Sequence, residues 1–378
     1  MKYLLNIPSI SSLEMKYVKN VVTSGWLSIG GKHTLEFEKK FCRYLGLKNS
    51  LTVQSGTAAL HVAMRALEIG PGDNVIIPNY TCVSNISCVS QVGAKAIIVE
   101  VERETLGLDF DLVKIAIQKY KPKALQLVHV YGFPARDTLK ILKYCKKKKI
   151  KVIEDASEAL GAKILKKKIG AFGDISIFSL RSEKMIGLGE GGIIFANNKK
   201  IFNKIKLIAS RHAPFRTKKD PYWKKYYVNG EGYNYLLPHL LGAIGRAQIE
   251  RFEKQILKAK IKVGSYYKKA FANTKEISIS QSVPKGFHSS YWLNSIFFNN
   301  LNAKEVQKIG LHLIKNGIEV RSGFWPLAKM DFFNSVYVCG NEKVSDSMFA
   351  KSLTLPSNIN LKYKDVVFIK SKIENILK

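Results

Sequence analysis

The sequence predicts an α/β protein, with a large domain on a mainly parallel sheet and a smaller C-terminal α/β domain. Three observations lead there. Strand-like and helix-like segments alternate from about residue 50 to residue 200. The strand candidates are short, apolar and rich in β-branched residues. Near residue 240 the texture changes to long helical sequence followed by shorter elements. Alternation of the first kind implies helices on both faces of a mostly parallel sheet. The length of 378 residues suits two packed domains, and a hydrophobic content of 46% fills their cores.

Taken in order, residues 55–67 have helical spacing after a Ser-Gly-Thr opening. Residues 73–78 form a β-branched strand closed by Pro78, and 94–101 a second apolar strand. Residues 111–120 read as helix, 124–130 as strand, 138–149 as helix and 150–154 as strand. Residues 174–178 and 192–196 supply two more strands. Residues 240–271 read as long helical sequence. Beyond them, 292–298, 303–316 and 363–377 are shorter strand and helix candidates. We place the large domain at residues 1–250 and the small one at 251–378.

Composition narrows the classes. No apolar run reaches the roughly 18 residues that a membrane span needs. The N-terminal apolar run is broken by Asn6 and Pro8, unlike a signal peptide. The five cysteines are scattered without a CxxC pair, so neither a zinc site nor a disulfide framework is indicated. A cytoplasmic protein without a metal is expected. The formal charge is +32, from 61 Lys+Arg against 29 Asp+Glu. The lysines are spread along the chain, and no nucleic-acid motif accompanies them, so they read as a solvated surface. The run Lys146 to Lys149 ends a helical segment, where cations suit the helix dipole.

Chemistry is carried by three short features. Lys184 follows the strand candidate 174–178 and precedes a glycine cluster from Gly187 to Gly192. A lysine at the mouth of such a sheet can bond an aldehyde cofactor. Asp155 ends the strand candidate 150–154, where it would sit at the same edge. Pyridoxal phosphate needs an anion beside its ring nitrogen, so that the ring can accept electrons. Ser55-Gly56-Thr57 opens a helix, and small residues there expose N–H groups to a phosphate. Alone, each has an ordinary reading: a surface lysine, a helix N-cap, a helix start. Together, in this order and with Lys184 standing 29 residues after Asp155, they are the parts that pyridoxal phosphate requires.

At these residues the chain resembles the DegT/DnrJ/StrS family of sugar-nucleotide aminotransferases, from about Ile7 to the C-terminus. The likeness is densest in Ser24-Gly25-Trp26, in 55–60, in 128–132, in 153–161, in Phe172-Gly173-Asp174, in 184–192 and in 232–235. The resemblance implies the aspartate-aminotransferase-like architecture, fold type I. It implies that Lys184 bonds the cofactor and moves the proton, that Asp155 pairs with the ring nitrogen, and that Glu158 approaches the ring hydroxyl. Ser55, Gly56, Thr57 and Ser179 would hold the phosphate, and the residue at Cys82 would lie on the ring. Asn234 would reach a phosphate in a partner subunit, which makes the active unit a homodimer with shared sites. Trp26, His288 and Arg321 are candidates for touching the sugar or diphosphate. The implied reaction aminates a nucleotide-linked 4-keto-6-deoxy sugar, with L-glutamate as donor. Relatives acting as dehydratases carry His in place of the lysine, so Lys184 argues for amino transfer. Cys82, Leu236 and Ala328 depart from the family pattern, which commonly has an aromatic residue, Arg and His there. A 3-aminotransferase on a dTDP- or UDP-keto sugar and a non-catalytic binder of pyridoxal phosphate stay open.

Overall fold

Strand formation follows the β-branched segments. In the computed structural model, which describes residues 1–213, 226–341 and 343–377, fifteen strands appear. They are β1 (Ser50–Val53), β2 (Asn74–Pro78), β3 (Lys95–Val99), β4 (Ala124–Val128), β5 (Lys151–Asp155), β6 (Lys163–Ile164), β7 (Lys167–Lys168), β8 (Ile175–Ser179) and β9 (Gly192–Phe195). Further along lie β10 (Ile277–Ile279), β11 (Phe287–His288), β12 (Asn294–Phe298), β13 (Arg321–Ser322), β14 (Ser335–Val338) and β15 (Ser352–Leu355). The large sheet has the order β1-β9-β8-β5-β4-β2-β3-β14. Within it only β9 runs antiparallel to its neighbours. The mainly parallel α/β class expected from the sequence is therefore the observed one.

The sheet is covered on both faces, and its side chains sort with period two. Val75 and Ile77 of β2 join one apolar cluster, while Ile76 between them joins another. Ala96 and Ile98 of β3 likewise face away from Ile97 and Val99. The helices Gly56–Ala66 and Lys199–Ala209 lie on the first face, and Phe110–Tyr120 and Thr138–Lys147 on the second. Asp109 caps Phe110–Tyr120 by accepting from the Asp111 and Leu112 N–H groups. Lys146 and Lys147 stand in the last turn of Thr138–Lys147, where the helix dipole favours them.

Residues 240–271 are helical throughout but not one α-helix. His239–Arg251 passes into a π-helical stretch, Phe252–Leu257, and then into Lys258–Phe271. Phe252 and Leu257 of that stretch press on Gly161, where a Cβ would stand 2.6 Å from Leu257 Cδ1. Gly161 also has φ +94°, so the bulge and the glycine form one joint. Beyond it, β10-β12-β15-β13 make a second sheet packed on the helices Lys258–Phe271, Ala303–Lys315 and Tyr363–Leu377. Several pairings cross residue 250, among them that of β11 with β6. β14 returns to pair with β3 at the edge of the large sheet, and the N-terminal residue Tyr3 bridges Ile318.

Candidate active site

At the C-terminal edge of the large sheet a cavity of about 280 Å³ opens. Ser55, Gly56, Thr57, Cys82, Asp155, Glu158, Ser179 and Lys184 all line it. Parallel strands open their C-terminal ends toward such a crevice. β5 delivers Asp155 as its last residue, and β8 delivers Ser179 as its last. Lys184 follows on a tight turn in which its N–H donates to the Arg181 carbonyl at 2.8 Å.

Asp155 is buried and held at both oxygens. Oδ2 accepts from Asn85 Nδ2 at 2.9 Å, and Oδ1 accepts from the Ser157 N–H at 3.0 Å. Asn85 is fixed in turn, for its Nδ2 donates to Gln126 Oε1 at 2.6 Å and its Oδ1 accepts from Thr81 Oγ1 at 2.9 Å. The carboxylate is thereby oriented without a cation beside it among the described residues. Glu158 is also buried. Its Oε2 accepts from the Tyr131 N–H at 3.0 Å, and its Oε1 faces Lys184 Nζ at 3.2 Å. Burial pushes its pKa above the ordinary carboxylate value, while the Lys184 ammonium and the Tyr131 N–H pull the other way. The same Nζ stands 3.7 Å from the centroid of the Trp292 ring, a cation–π contact.

The opposite wall is the start of Gly56–Ala66. Ser55 is its N-cap, and its Oγ accepts from the Ala58 N–H at 3.0 Å. Gly56 is required by contact: a Cβ there would stand 2.9 Å from the Ser179 Cβ. Thr57 Oγ1 donates to Ser84 Oγ at 3.0 Å, and the exposed Cys82 thiol lies 3.4 Å from the same hydroxyl. These groups fit pyridoxal phosphate. A helix N-terminus with small hydroxyl side chains suits a phosphate. A buried, acceptor-only carboxylate suits a protonated ring nitrogen, and an amine at the far wall suits an aldehyde.

Four predicted residues stand elsewhere. Asn234 is exposed and bridges Ser210. Trp26 is exposed, and its Nε1 donates to the Ile29 carbonyl at 3.1 Å. His288 is exposed on β11, opposite Lys163. Arg321 pairs with Glu319 at 3.3 Å and lines a separate apolar groove with Leu311 and Ile314. Leu236 bridges Val53 behind the cavity, and the Ala328 N–H donates to Asn79 Oδ1 at 2.8 Å. Asn85, Ser84, Arg181, Glu183 and Glu190 also line the cavity, and sequence reasoning did not single them out. Trp292 was given no role by the sequence either.

Sheet and cavity together define the class, an aminotransferase of α/β fold. The chain belongs to the DegT/DnrJ/EryC1/StrS aminotransferase family, whose model matches residues 8–374. It is 35% identical over 352 residues to the GDP-perosamine synthase of Vibrio cholerae, covering 93% of this chain and 92% of that protein. It is 31% identical over 370 residues to the GDP-perosamine synthase of Escherichia coli O157:H7, covering 98% and 97%. Among solved structures, the sugar aminotransferase Spr1654 of Streptococcus pneumoniae, described as putative and solved in its PLP form, superposes with a TM-score of 0.88 at 23% identity. The superposition covers 100% of both chains.

Proposed function

We propose that this protein is a pyridoxal-phosphate-dependent aminotransferase that converts a GDP-linked 4-keto-6-deoxy sugar to its 4-amino form, with L-glutamate as donor. The observation that carries it is the cavity itself, where Lys184, Asp155 and the start of Gly56–Ala66 meet. The substrate class rests on the likeness to two GDP-perosamine synthases at 31–35% identity.

Bound there, pyridoxal phosphate would act as the electron sink that makes the α-hydrogen of an amino donor acidic. The residues supply the rest. Asp155 sits where it would keep the ring nitrogen protonated, fixed by Asn85 and Ser157. Gly56, Thr57 and Ser179 would take the phosphate. Lys184 Nζ is the base that takes up and hands on the proton, and Glu158 at 3.2 Å steadies its charged form. Trp292 forms the floor beneath that amine.

We assign the working unit as a homodimer. Met15 and Val22 are exposed on one stripe of Ser12–Ser24, and Trp26 and Leu27 continue the apolar surface past its end. Trp26 and Asn234 stand outside their own chain's cavity, which favours service to a partner's. His288 and Arg321 are kept as candidates for the nucleotide end of the substrate. Five free thiols suit a reducing, cytoplasmic setting.

The test is direct. Adding pyridoxal phosphate to the purified chain should raise a visible absorbance band, and Lys184→Ala should abolish the band and all turnover. Glutamate plus GDP-4-keto-6-deoxymannose should then yield the amino sugar nucleotide by mass spectrometry. Normal turnover in Lys184→Ala overturns the assignment. Turnover only with dTDP- or UDP-linked ketones moves the substrate to the alternative class.

A further inference from the structure

Lys260 is fully buried, with 1% of its surface exposed, yet among the described residues no carboxylate pairs with it. Its Nζ donates to three neutral oxygens: Asn6 Oδ1 at 2.9 Å, the Trp292 carbonyl at 2.8 Å and the Ser357 carbonyl at 2.6 Å. Three acceptors match the three hydrogens of an ammonium, so the geometry is built for the charged form. Burying that charge without a counter-ion is costly. Packing alone does not call for it, because an apolar side chain of similar length would fill the same space.

Its partners explain the arrangement. The Asn6 side chain accepts from Lys260 at one end and, at the other, donates through Nδ2 to the Glu183 carbonyl at 2.6 Å. Trp292 accepts from Lys260 at its backbone and donates through Nε1 to the same Glu183 carbonyl, also at 2.6 Å. Glu183 is the residue before Lys184, and the Trp292 ring lies 3.7 Å under the Lys184 amine. Two hydrogen-bond paths therefore leave one ammonium and converge on one carbonyl. They fix both the turn that carries Lys184 and the ring on which its amine rests. The third bond, to Ser357 beyond β15, ties this frame to the small sheet.

We propose that Lys260 is a positioning residue for Lys184, holding the Glu183–Lys184 turn and the Trp292 ring in register through Asn6 and its own ammonium. This rests on the reading of Lys184 as the reacting amine. Lys260 is not among the residues that line the cavity, and it acts only through this frame. A misplacement of about 1 Å at a reacting group costs roughly 100-fold in rate, so a loosened frame should weaken the chemical step and spare binding.

The experiment uses the full chain with pyridoxal phosphate. Two variants are made: Lys260→Met, which keeps length and removes the charge, and Asn6→Ala, which cuts one path at a half-buried site. Wild type must first show the visible band that Lys184→Ala lacks; a wild type without it overturns the reading of Lys184 and this inference with it. Both variants should then take up pyridoxal phosphate with near-normal affinity. The band's circular dichroism should change, because the ring under Lys184 has moved. The kcat with saturating glutamate should fall roughly 10- to 100-fold with KM little changed. A folded Lys260→Met with unaltered kcat and dichroism overturns the proposal. If Lys260→Met does not fold, Asn6→Ala decides by the same readouts. A rise in KM alone, in either variant, also counts against a positioning role.

Discussion

At the level of single residues, the two neighbouring carboxylates at the end of β5 show what sequence can and cannot assign. Glu154 and Asp155 are consecutive, so the pleat sends them to opposite faces. Glu154 turns away from the cavity and accepts from the N–H groups of Gly170, Phe172 and Gly173 at 2.6, 2.6 and 2.9 Å. Burial pushes its pKa up, but the facing His129 and those N–H groups outweigh it and hold the carboxyl below its ordinary value. Glu154 thus fastens a loop, and Asp155 is left to face the cavity. Exchanging the latter separates charge from shape. Asp155→Asn keeps the Ser157 N–H contact at Oδ1, but it turns an amide donor toward Asn85 Nδ2, so it removes the anion and one buried hydrogen bond. Turnover should fall by roughly 10²- to 10³-fold, as when a preorganised electrostatic group is lost. The apo-protein should lose about 1–3 kcal/mol, the cost of the buried Asn85 hydrogen bond, and stay folded. Steady-state kinetics beside a melting curve checks this, and unchanged turnover would remove Asp155 from the ring nitrogen. Asp155 and Lys184 were legible because strand ends and glycine clusters mark them. Asn85 was not, for nothing in the pattern of Ser84–Gln91 says that its amide reaches Asp155.

At the level of elements, the wall opposite Lys184 depends on how one helix begins. Ser55 stands at the expected phosphate seat, and its hydroxyl caps Gly56–Ala66 by accepting from Ala58. Its contribution therefore shows first in stability. Ser55→Ala should lower the stability of the apo-protein by about 1 kcal/mol, the usual cost of losing an N-cap. Cofactor affinity should weaken further only if the hydroxyl has a second partner in the holo-protein. Denaturant titration with and without pyridoxal phosphate separates the two contributions, and an unchanged apo midpoint would show that the cap carries no weight. The strands β2, β3, β4, β5, β8 and β9 were legible because strands buried on both faces are continuously apolar, whereas the helix Ser84–Gln91 and the two-residue strands β6 and β7 were not. The π-helical stretch Phe252–Leu257 was not. It packs on Gly161, roughly ninety residues away in the chain, and periodicity reports only local order.

At the level of the whole molecule, the parts that resisted sequence reading are those that close the chain on itself. β14 follows residue 250 but completes the large sheet beside β3, and residues 2–6 bind the small sheet's end of the molecule. Neither placement has a local signal. Lys260 sits where these long-range connections meet, and its titration reports on the entire fold. Burial alone lowers its pKa from 10.5 to about 7, since its partners at Asn6, Trp292 and Ser357 are neutral oxygens. In the unfolded chain the amine keeps its proton up to its ordinary 10.5, whereas the folded form releases it above about 7. Between those values the unfolded state binds more protons, so this group makes stability rise with pH, by at most about 1.4 kcal/mol per unit. Below about 7 both states are protonated and the contribution is flat. The high net charge changes with pH as well, so the wild type alone does not isolate the effect. The difference in unfolding free energy between wild type and Lys260→Met does, because the surface lysines are common to both. That difference should shift in favour of wild type as pH is raised from about 7 to about 9, and stay level from about 6 to about 7. Denaturant midpoints at a series of pH values check it. A difference that stays level throughout would mean that the three oxygens hold the proton on Lys260 across the whole range.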